Sequence, residues 1–335
     1  MAVMAGLILA GDVGGTNTRL GLFSLDGGRP RAEAVEVFAS AEHPELEEIV
    51  VDFMARHQAA LSGACVGIAG PVRDNQVYAS NLPWVITAEG LARPLGLRSV
   101  LLINDLEANA HGLPLLGPED FAVLHEGEGN GSGTMALVSA GTGLGEASIP
   151  RIDHGHWVVA SEGGHADFAP RNELEIGLLR FLLREHERIS YERVLSGMGL
   201  WNIYRFLRDT GRGVEEAWLS KELADGDRPA AISGAALAGR SKLCVESLEL
   251  FVSIYGAEAG NVALKFLSSG GVFLGGGIAP KILSKLKEPE FMRSFLAKGR
   301  LRPFLESVPV RVILNDKTAL WGAARKAFLA AGGSR

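Results

Sequence analysis

Cysteine is nearly absent from this sequence. The 335 residues include only Cys65 and Cys244, and no Cys-x-x-Cys pair occurs. A disulfide framework and a cysteine-based zinc site are therefore excluded, and we expect a cytoplasmic protein without a transition-metal centre. Long apolar runs are also lacking, since no window approaches the roughly 18 residues of a membrane-spanning helix. The apolar residues 1–10 have no basic region before them, so we interpret them as a first strand rather than a signal peptide.

Positive charge is scarce as well. The formal net charge is −6 and no run of cations occurs at either end of the chain, which argues against an extended nucleic-acid interface. The phosphate-binding signature G-x-x-x-x-G-K-[ST] and a G-x-G-x-x-G fingerprint after a strand are both missing, so the 43 glycines need another explanation. The length and the 47% hydrophobic content predict two domains.

The segment that organises the rest of the chain is 99–109. Its apolar run, 99–103, predicts a short strand of a parallel sheet that is buried on both faces. Asn104 and Asp105 follow at the carboxyl end of this strand, which in open α/β sheets faces the ligand. We predict that Asp105 is a general base toward a bound hydroxyl and that Asn104 offers it a donor and an acceptor. The alternative is that Asp105 only caps the helix predicted over 106–111.

A glycine-rich turn joins two predicted strands, 7–10 and 19–23. The turn contains Gly11, Asp12, Val13, Gly14, Gly15 and Thr16. Such a turn can bring backbone N–H groups against phosphate, with Gly14 and Gly15 supplying positive φ and Thr16 and Thr18 supplying hydroxyls. Asp12 would then face a metal ion. The alternative is a tight hairpin without a ligand.

A second turn repeats this pattern after the predicted strand 134–139. Gly141, Thr142 and Gly143 lie in it, and another strand is expected near 146–149. Two such turns indicate two similar halves that hold one nucleotide triphosphate. A third glycine cluster, formed by Gly275, Gly276 and Gly277, lies between a strand and a helix predicted to run through Lys287. We interpret it as a platform for adenine or ribose, the alternative being an ordinary strand-to-helix loop.

Polar residues that suit hydroxyl recognition occur in two turns. Glu162 can accept from sugar hydroxyls, and His165 can donate or accept according to its tautomer, although the two residues could also form a helix-capping pair. Asn81 precedes Trp84, and an amide beside an aromatic ring suits a sugar. A Trp84 that serves only for packing is the alternative.

Further features concern the scaffold. We predict a helix over 174–189 and one long helix over 243–267, in which Gly256 and Gly260 let a neighbour approach; we interpret this as interdomain packing. A strand over 310–314 ends in a second Asn-Asp pair, Asn315 and Asp316, which competes with Asp105 for the role of base. Two prolines within 112–117 suggest a hinge, so we place a domain boundary near residue 115.

Six motifs in order resemble those of bacterial glucokinases of the non-repressor-type group, within the superfamily of hexokinases, actin and heat-shock ATPases. They are GDVGGTNTR at 11–19, LINDLEANA at 102–110, SAGTGLG at 139–145, EGGHADFAP at 162–170, ERVLSGMGL at 192–200 and FLGGGIAP at 273–280. The resemblance covers nearly the whole chain, and although each motif is modest, the set of six is specific.

The resemblance implies a two-lobed α/β protein with a duplicated ribonuclease-H-like (actin-like ATPase) fold and an interdomain cleft. The small domain would comprise 1–115 plus 306–335, and the large domain 116–305. The implied activity is ATP-dependent phosphorylation of D-glucose at the 6-hydroxyl, with Mg²⁺ and with Asp105 rather than Asp316 as the base.

By the same resemblance, Asn104, Glu162, His165 and Glu192 hold sugar hydroxyls, the two glycine turns hold phosphates, and the triglycine lies near adenosine. We also expect a homodimer. A kinase for another hexose or an aminosugar remains an alternative, and so does an actin-like regulatory nucleotide-binding protein.

Overall fold

The computed structural model describes residues 6–26, 29–80, 82–128, 133–153 and 155–331. The strands of this part are β1 (Leu7–Val13), β2 (Asn17–Asp26), β3 (Arg29–Ala39), β4 (Leu61–Ile68), β5 (Val72–Arg73), β6 (Gln76–Tyr78), β7 (Val85–Thr87), β8 (Leu101–Asn104), β9 (Phe121–His125), β10 (Met135–Ala140), β11 (Leu144–Ile149), β12 (Arg151–Ile152), β13 (Gly155–His156), β14 (Val159–Ser161), β15 (Gly271–Gly275) and β16 (Val310–Ile313).

The helices follow the apolar spacing of the sequence. In the first helix Leu46, Ile49, Val50 and Phe53 are buried, and Glu47 and Glu48 lie in its first turn. Of the helices in the described part of the chain, none is long and apolar enough to cross a membrane. They are α1 (Leu46–His57), α2 (Ala88–Leu95), α3 (Asp105–Gly112), α4 (Glu173–Leu182), α5 (Gly197–Asp209), α6 (Ala217–Asp225), α7 (Arg228–Leu237), α8 (Lys242–Phe266), α9 (Leu283–Leu286), α10 (Pro289–Leu296), α11 (Arg302–Glu306) and α12 (Thr318–Ala330).

The chain divides into two compact units. The first unit comprises residues 1–120, 152–159 and 315–335, and the second unit comprises 121–151 and 160–314. Residues 152–159 therefore belong to the first unit although they lie in the sequence between two parts of the second. The predicted domain boundaries near 115 and 306 stay a prediction.

The first unit is built on a five-stranded sheet with the order β3-β2-β1-β4-β8. β1 and β2 form an antiparallel hairpin, whereas β4 is parallel to both β1 and β8. One face of the sheet packs against α3 and α12 through Ile8, Ala10 and Leu320, all fully buried. The apolar residues of α1 and α2 belong to the cluster that includes Leu9 and Val66 on β1 and β4. Burial on both faces explains why residues 7–10 of β1 form a continuous apolar run. The same prediction is wrong for β8, because β8 lies at the edge of the sheet and only Ile103 of this strand is buried.

The second unit repeats this strand order. Its sheet runs β14-β11-β10-β15-β16-β9, so that a hairpin, β10–β11, is again followed by two parallel strands. The duplicated α/β fold predicted from the two glycine turns is thereby confirmed.

Helices α3 and α12 are in backbone contact in the first unit. A Cβ on Gly322 would lie 1.7 Å from the carbonyl oxygen of Ala108, and one on Gly112 would lie 2.1 Å from that of Thr318. Only glycine permits this approach. The two helices therefore form one tightly packed pair behind the sheet.

Three local predictions are wrong. The helix predicted over 174–189 ends at Leu182, because residues 184–188 are polar and offer no face to bury. The triglycine is followed by turns, and α9 is a single turn of helix, Leu283–Leu286. Gly256 and Gly260 do not serve interdomain packing, because the backbone that meets them is that of Phe291 and Phe295 on α10, in the same unit.

Candidate active site

The carboxyl ends of three parallel strands define one edge of the first sheet. Val13 is in register with Ile68, which in turn is in register with Asn104. Asp12, near the end of β1, and Asp105, directly after β8, therefore belong to the same edge. Asp105 follows the strand as predicted, and its place in a functional site stays a prediction.

Asn104 holds the junction between β8 and α3. It is the N-cap residue of the helix, and its Oδ1 accepts from the amide of Leu106 at 2.8 Å. Its Nδ2 donates to the carbonyl oxygen of Gly70 at 3.0 Å. Both halves of the side-chain amide are thus used within the first unit, and a contact to substrate stays a prediction.

Asp105 is the first residue of α3. Its Oδ1 also accepts from the Leu106 amide, at 2.9 Å. Asp105 therefore contributes to capping, as the alternative proposed, but the N-cap residue itself is Asn104. Burial raises the pKa of the Asp105 carboxyl, against the opposing effect of its hydrogen bonds. A partly buried carboxylate with a raised pKa at the ligand edge of a sheet has the properties of a general base.

Asp12 and Asp316 are joined by Arg19. The guanidinium lies 3.4 Å from Asp12 Oδ2 and 2.9 Å from Asp316 Oδ2. The side chain of Asp12 is 16% exposed and that of Asp316 is 72% exposed. Burial raises the pKa of Asp12 to about 6 although Arg19 opposes this, and the charges of Asp105 and Asp316 raise it further. A bound cation near Asp12 would favour the charged form of this carboxyl.

The first glycine turn is held by Ser40. The Ser40 hydroxyl donates to the carbonyl oxygen of Gly14 at 2.9 Å, and its amide donates to that of Thr16 at 3.0 Å. The Thr18 hydroxyl is fully buried and lies 3.0 Å from the Ser40 hydroxyl, so the prediction that Thr18 faces phosphate is wrong. Thr16 is exposed and keeps its predicted role. Gly14 does not adopt the predicted positive φ.

Gly11 and Val13 lie within β1 rather than in the turn. A Cβ on Gly11 would lie 2.9 Å from a methyl group of Val66, so the absence of a side chain there serves packing between β1 and β4. Val13 is buried as well.

The second glycine turn and the triglycine lie together in the second unit. The amide of Gly141 donates to the carbonyl oxygen of Gly143 at 2.9 Å, which closes the turn that contains Thr142. Gly276 has φ 78°, and a Cβ on it would lie 2.2 Å from the carbonyl oxygen of Ala140. Gly275 is paired with Ser139 across β10 and β15. A Cβ on Gly141 would lie 3.9 Å from the amide nitrogen of Gly277, so the two predicted nucleotide segments are neighbours.

Glu162, His165 and Glu192 form one group in the second unit. His165 Nε2 lies 3.9 Å from Glu162 Oε2, and His165 Nδ1 lies 4.0 Å from Glu192 Oε1. The amide of Leu144 donates to Glu192 Oε2 at 3.0 Å. Glu192 therefore touches both the predicted sugar group and the second glycine turn. The resemblance implies that Glu192 belongs with the sugar residues, whereas nothing in the spacing relates Glu192 to Leu144.

Two buried acids, Glu146 and Glu258, pack beneath the group formed by Glu162, His165 and Glu192. The sequence did not predict them. Glu146 is 1% exposed and Glu258 is fully buried, with Lys265 Nζ at 3.1 Å from Glu258 Oε1. Burial, followed by the charge of Glu258, raises the pKa of Glu146. A Cβ on Gly163 would lie 2.1 Å from Glu146 Oε2, so the acid packs directly beneath the 162–165 turn. The available signal was a charged residue in the otherwise apolar strand β11.

Two remaining predictions concern Asn81 and metal ligands. Asn81 lies outside the described residues. Trp84 is 3% exposed and its Nε1 donates to the carbonyl oxygen of His43 at 3.3 Å, as its packing alternative predicts. Within the described residues, no group of three or more His, Cys, Asp or Glu side chains is placed to hold a metal ion.

The sequence comparisons identify one family, the glucokinases. The sequence model of the family described as Glucokinase matches residues 9–329. A glucokinase of Nostoc punctiforme is 42% identical over 333 residues, which cover 95% of this chain and 98% of the relative.

Two solved structures extend this similarity to the fold. A glucokinase from an Antarctic psychrotroph has a TM-score of 0.83 at 30% identity, covering 96% of this chain and 98% of that chain. A ROK family glucokinase from Streptomyces griseus, solved in complex with glucose and AMPPNP, has a TM-score of 0.64 at 25% identity, covering 97% of this chain and 100% of that chain.

Proposed function

The chain belongs to the glucokinase family and is a glucose kinase, and we propose that Asp105 is the base that activates the 6-hydroxyl of D-glucose toward ATP. The observation that carries this assignment is the position of Asp105: a partly buried carboxylate at the start of α3, at the edge that also holds Asp12. The competing Asp316 is exposed and paired with Arg19.

The proposed chemistry is a single in-line transfer. Asp105 accepts the proton of the 6-hydroxyl while that oxygen forms a bond to the γ-phosphorus and the bond from the γ-phosphorus to the β,γ-bridging oxygen breaks. The products are glucose 6-phosphate and ADP. The raised pKa of Asp105 makes it a better proton acceptor than an exposed carboxylate.

We assign the nucleotide to the glycine segments. The turn that contains Gly14, Gly15 and Thr16 would contact phosphate in the first unit, and the turn 141–143 would contact it in the second. The neighbouring triglycine, 275–277, would lie along the adenosine. The assignment of the triglycine is supported by the contact between Gly276 and Ala140, which directly precedes the second glycine turn. This contact makes the triglycine and the second turn neighbours.

Magnesium fits the donors of the first unit. Mg²⁺ is usually bound through one or two carboxylates together with substrate phosphates, so it needs no larger cluster of protein ligands. Asp12 has the expected chemistry, because burial raises its pKa to about 6 and a nearby cation would favour its charged form. When bound, the ion would supply neutralisation of phosphate charge, and Asp12 is the residue that we expect to hold it.

The sugar would be held by Glu162, His165 and Glu192, with Asn104 beside the base. Their support is the short chain of contacts from Glu162 through His165 to Glu192, which places acceptors on both sides of an imidazole. Asn81 keeps its predicted place in this set.

Release of ADP in the presence of different sugars tests the function. Glucose, mannose, fructose and N-acetylglucosamine are compared side by side in a coupled assay. We expect the highest kcat/KM with glucose. A higher value with another sugar would favour the alternative hexose or aminosugar kinase, and ATP binding without sugar-dependent ADP release would favour the actin-like alternative.

Three further proposals concern the state of the protein. We propose a homodimer, for which the exposed Val35 and Val37 of edge strand β3 offer a surface, and light scattering on a sizing column tests it.

We propose a cytoplasmic location, supported by the free and buried state of Cys65 and Cys244. Limited proteolysis tests the domain boundaries near 115 and 306.

A further inference from the structure

The first unit contains a cavity that the proposed reaction does not use. Its volume is about 260 Å³, and it lies between the end of α3, the second half of α12 and residues 155–158. His111, Trp157, Arg325 and Leu329 contribute to its walls. Asp105 and Asp12 are not among the residues that line it.

Arg325 brings an uncompensated positive charge to this cavity. Burial lowers its pKa, with no other contributing cause, which means that no nearby acid offsets the burial. Among the described residues no carboxylate lies within ion-pair distance of Arg325, and its one described hydrogen bond is a long one, 3.4 Å to the carbonyl oxygen of His111. The next residue differs, since Lys326 Nζ lies 3.1 Å from Glu107 Oε1. A partly buried cation without a counter-ion is costly unless an anion pairs with it.

His111 adds an unsatisfied polar group to the same wall. His111 is 5% exposed, and neither nitrogen of its ring has a partner within hydrogen-bond distance. The nearest acid, Glu107, is 3.6 Å away, beyond hydrogen-bond distance. Buried polar atoms of native proteins nearly always have a partner. The His111 ring has only the distant Glu107 on Nε2 and no partner on Nδ1, so it can offer a hydrogen bond to a ligand in the cavity.

Apolar side chains form part of the remaining wall, which also contains Gly155, His156 and Lys326. Trp157 is 41% exposed, and Val158, Leu329 and Ala330 also line the space. The volume of about 260 Å³ is slightly below the range of about 300–1,000 Å³ that is typical of ligand pockets, which limits the occupant to a small molecule. A cation is disfavoured by Arg325 and Lys326, and an uncharged polyol would leave the guanidinium unpaired.

We propose that this cavity is a binding site for a small organic anion, whose carboxylate or phosphate pairs with Arg325 and whose flat or apolar body packs against Trp157 and Leu329. The imidazole of His111 supplies a further hydrogen bond. None of the residues that line the cavity belongs to the proposed glucose and ATP sites.

The cavity lies at the opposite end of α3 from Asp105. The six helical steps from Asp105 to His111 correspond to about 9 Å along the helix axis. Because α12 touches the backbone of α3 at Gly322 and Gly112, movement of Arg325 toward an anion will be transmitted to α3. We therefore expect occupancy to change catalysis, and this second step rests on Asp105 being the base.

Calorimetric titration tests the site itself. Benzoate and phenyl phosphate are compared with the neutral benzamide on the full chain, and the comparison of the two anions tells carboxylate from phosphate recognition. We expect at least one anion to bind and benzamide to bind at least about tenfold more weakly, because a hydrogen bond to a charged group is worth about 1.5–3 kcal/mol. Arg325→Gln should weaken the anion by a similar factor, whereas Arg98→Gln, at an exposed arginine of the same unit, should not.

The proposal is overturned if neither anion binds more tightly than benzamide, or if a folded Arg325→Gln variant binds as the wild type does. If Arg325→Gln does not fold, Ala330→Trp replaces it, since Ala330 is an exposed residue of the cavity wall and a large side chain there occupies the space while keeping the arginine. Anion binding that survives Ala330→Trp contradicts the site. Glucose kinetics at a saturating anion concentration then test the second step. A change in kcat/KM of about fivefold or more supports coupling to α3. If the anion binds but the kinetics do not change, the binding site stands and the proposed coupling is contradicted.

Discussion

Arg19 Nη2 lies 2.9 Å from Oδ2 of Asp316. This ion pair distinguishes the Asn315–Asp316 sequence from Asn104–Asp105. Their local structures are alike, because the side chains of Asn104 and Asn315 each accept at 2.8 Å from the amide two residues later. Only the surroundings differ. Asp316 is 72% exposed and paired with a cation, whereas burial raises the pKa of Asp105.

Asp12 is expected to serve function at the expense of stability. Its pKa is raised from 3.8 to about 6, so the folded state holds this proton more tightly than the unfolded state does. The free energy of unfolding therefore falls as pH rises from about 4 to 6, by an amount on the order of 3 kcal/mol. We predict that Asp12→Asn raises the stability of the ligand-free protein above pH 6 by about 2–3 kcal/mol, with a gain that shrinks toward pH 4.

Urea unfolding of the ligand-free protein at several pH values measures this effect. Asp52→Asn is the control, because Asp52 is 54% exposed and should change stability by less than about 0.5 kcal/mol. The same Asp12→Asn variant should lose turnover with ATP and Mg²⁺. A variant that is less stable at pH 7.5 would contradict the predicted stability cost of Asp12, and a variant that keeps full activity would contradict its role in turnover.

Glu192 should affect the two substrates differently according to what replaces it. Glu192→Gln keeps an acceptor for the Leu144 amide, so the second glycine turn and ATP binding should survive. Glucose affinity should fall by about tenfold to hundredfold, as expected when a buried hydrogen bond worth about 1–3 kcal/mol is lost. Glu192→Ala leaves the Leu144 amide unpaired and should weaken both substrates.

His165→Ala should resemble Glu192→Gln in weakening glucose more than ATP. Calorimetry with glucose and with an ATP analogue measures both affinities. The control is Glu187→Gln, because Glu187 is an exposed acid five residues before Glu192. Unchanged glucose affinity in both variants would remove these residues from the sugar site.

The glycines of α8 should be needed for packing within the second unit. A Cβ on Gly256 would lie 2.2 Å from the carbonyl oxygen of Phe291, so Gly256→Ala should cost about 1–3 kcal/mol. Gly234→Ala in α7 is the matched control, because nothing lies within 4 Å of its Cβ position. There we expect a gain of about 0.4–1 kcal/mol from reduced freedom of the unfolded chain. Equal effects of the two substitutions in urea unfolding would contradict the α8–α10 contact.

The same glycine shows which part of the fold the sequence could predict. The length of α8 follows from its own apolar residues, and Gly256 indicates that some backbone approaches it. Which backbone does so depends on the path of the chain after α8, and the prediction of interdomain packing was wrong because α10 folds back within the same unit. The order of strands and glycine turns was predicted, since strand and turn signals are local. The bounds and backbone conformation of the first turn were not, because Gly11 and Val13 lie in β1 and Gly14 lacks the expected positive φ.

The end of α4 illustrates the other kind of failure. Leu182 and Ile189 are both buried and seven residues apart, as on one face of a helix. The polar residues between them make a turn instead. At the site, Asp105 could be predicted from its place after a strand, but the Leu144–Glu192 and Thr18–Ser40 contacts join distant segments and leave no local pattern.

The most direct test of Asp105 as the base is the rate of glucose-dependent ADP release by Asp105→Asn, measured together with glucose binding. Because asparagine keeps the shape and the hydrogen-bonding capacity but cannot accept the proton, we expect kcat to fall by about 10²–10⁴ while glucose affinity is retained. Asp316→Asn is the matched control and should change kcat little, since its exposed ion pair is worth about 0–1 kcal/mol. A folded Asp105→Asn enzyme that keeps wild-type kcat, or an Asp316→Asn enzyme with the larger loss, would contradict the assignment.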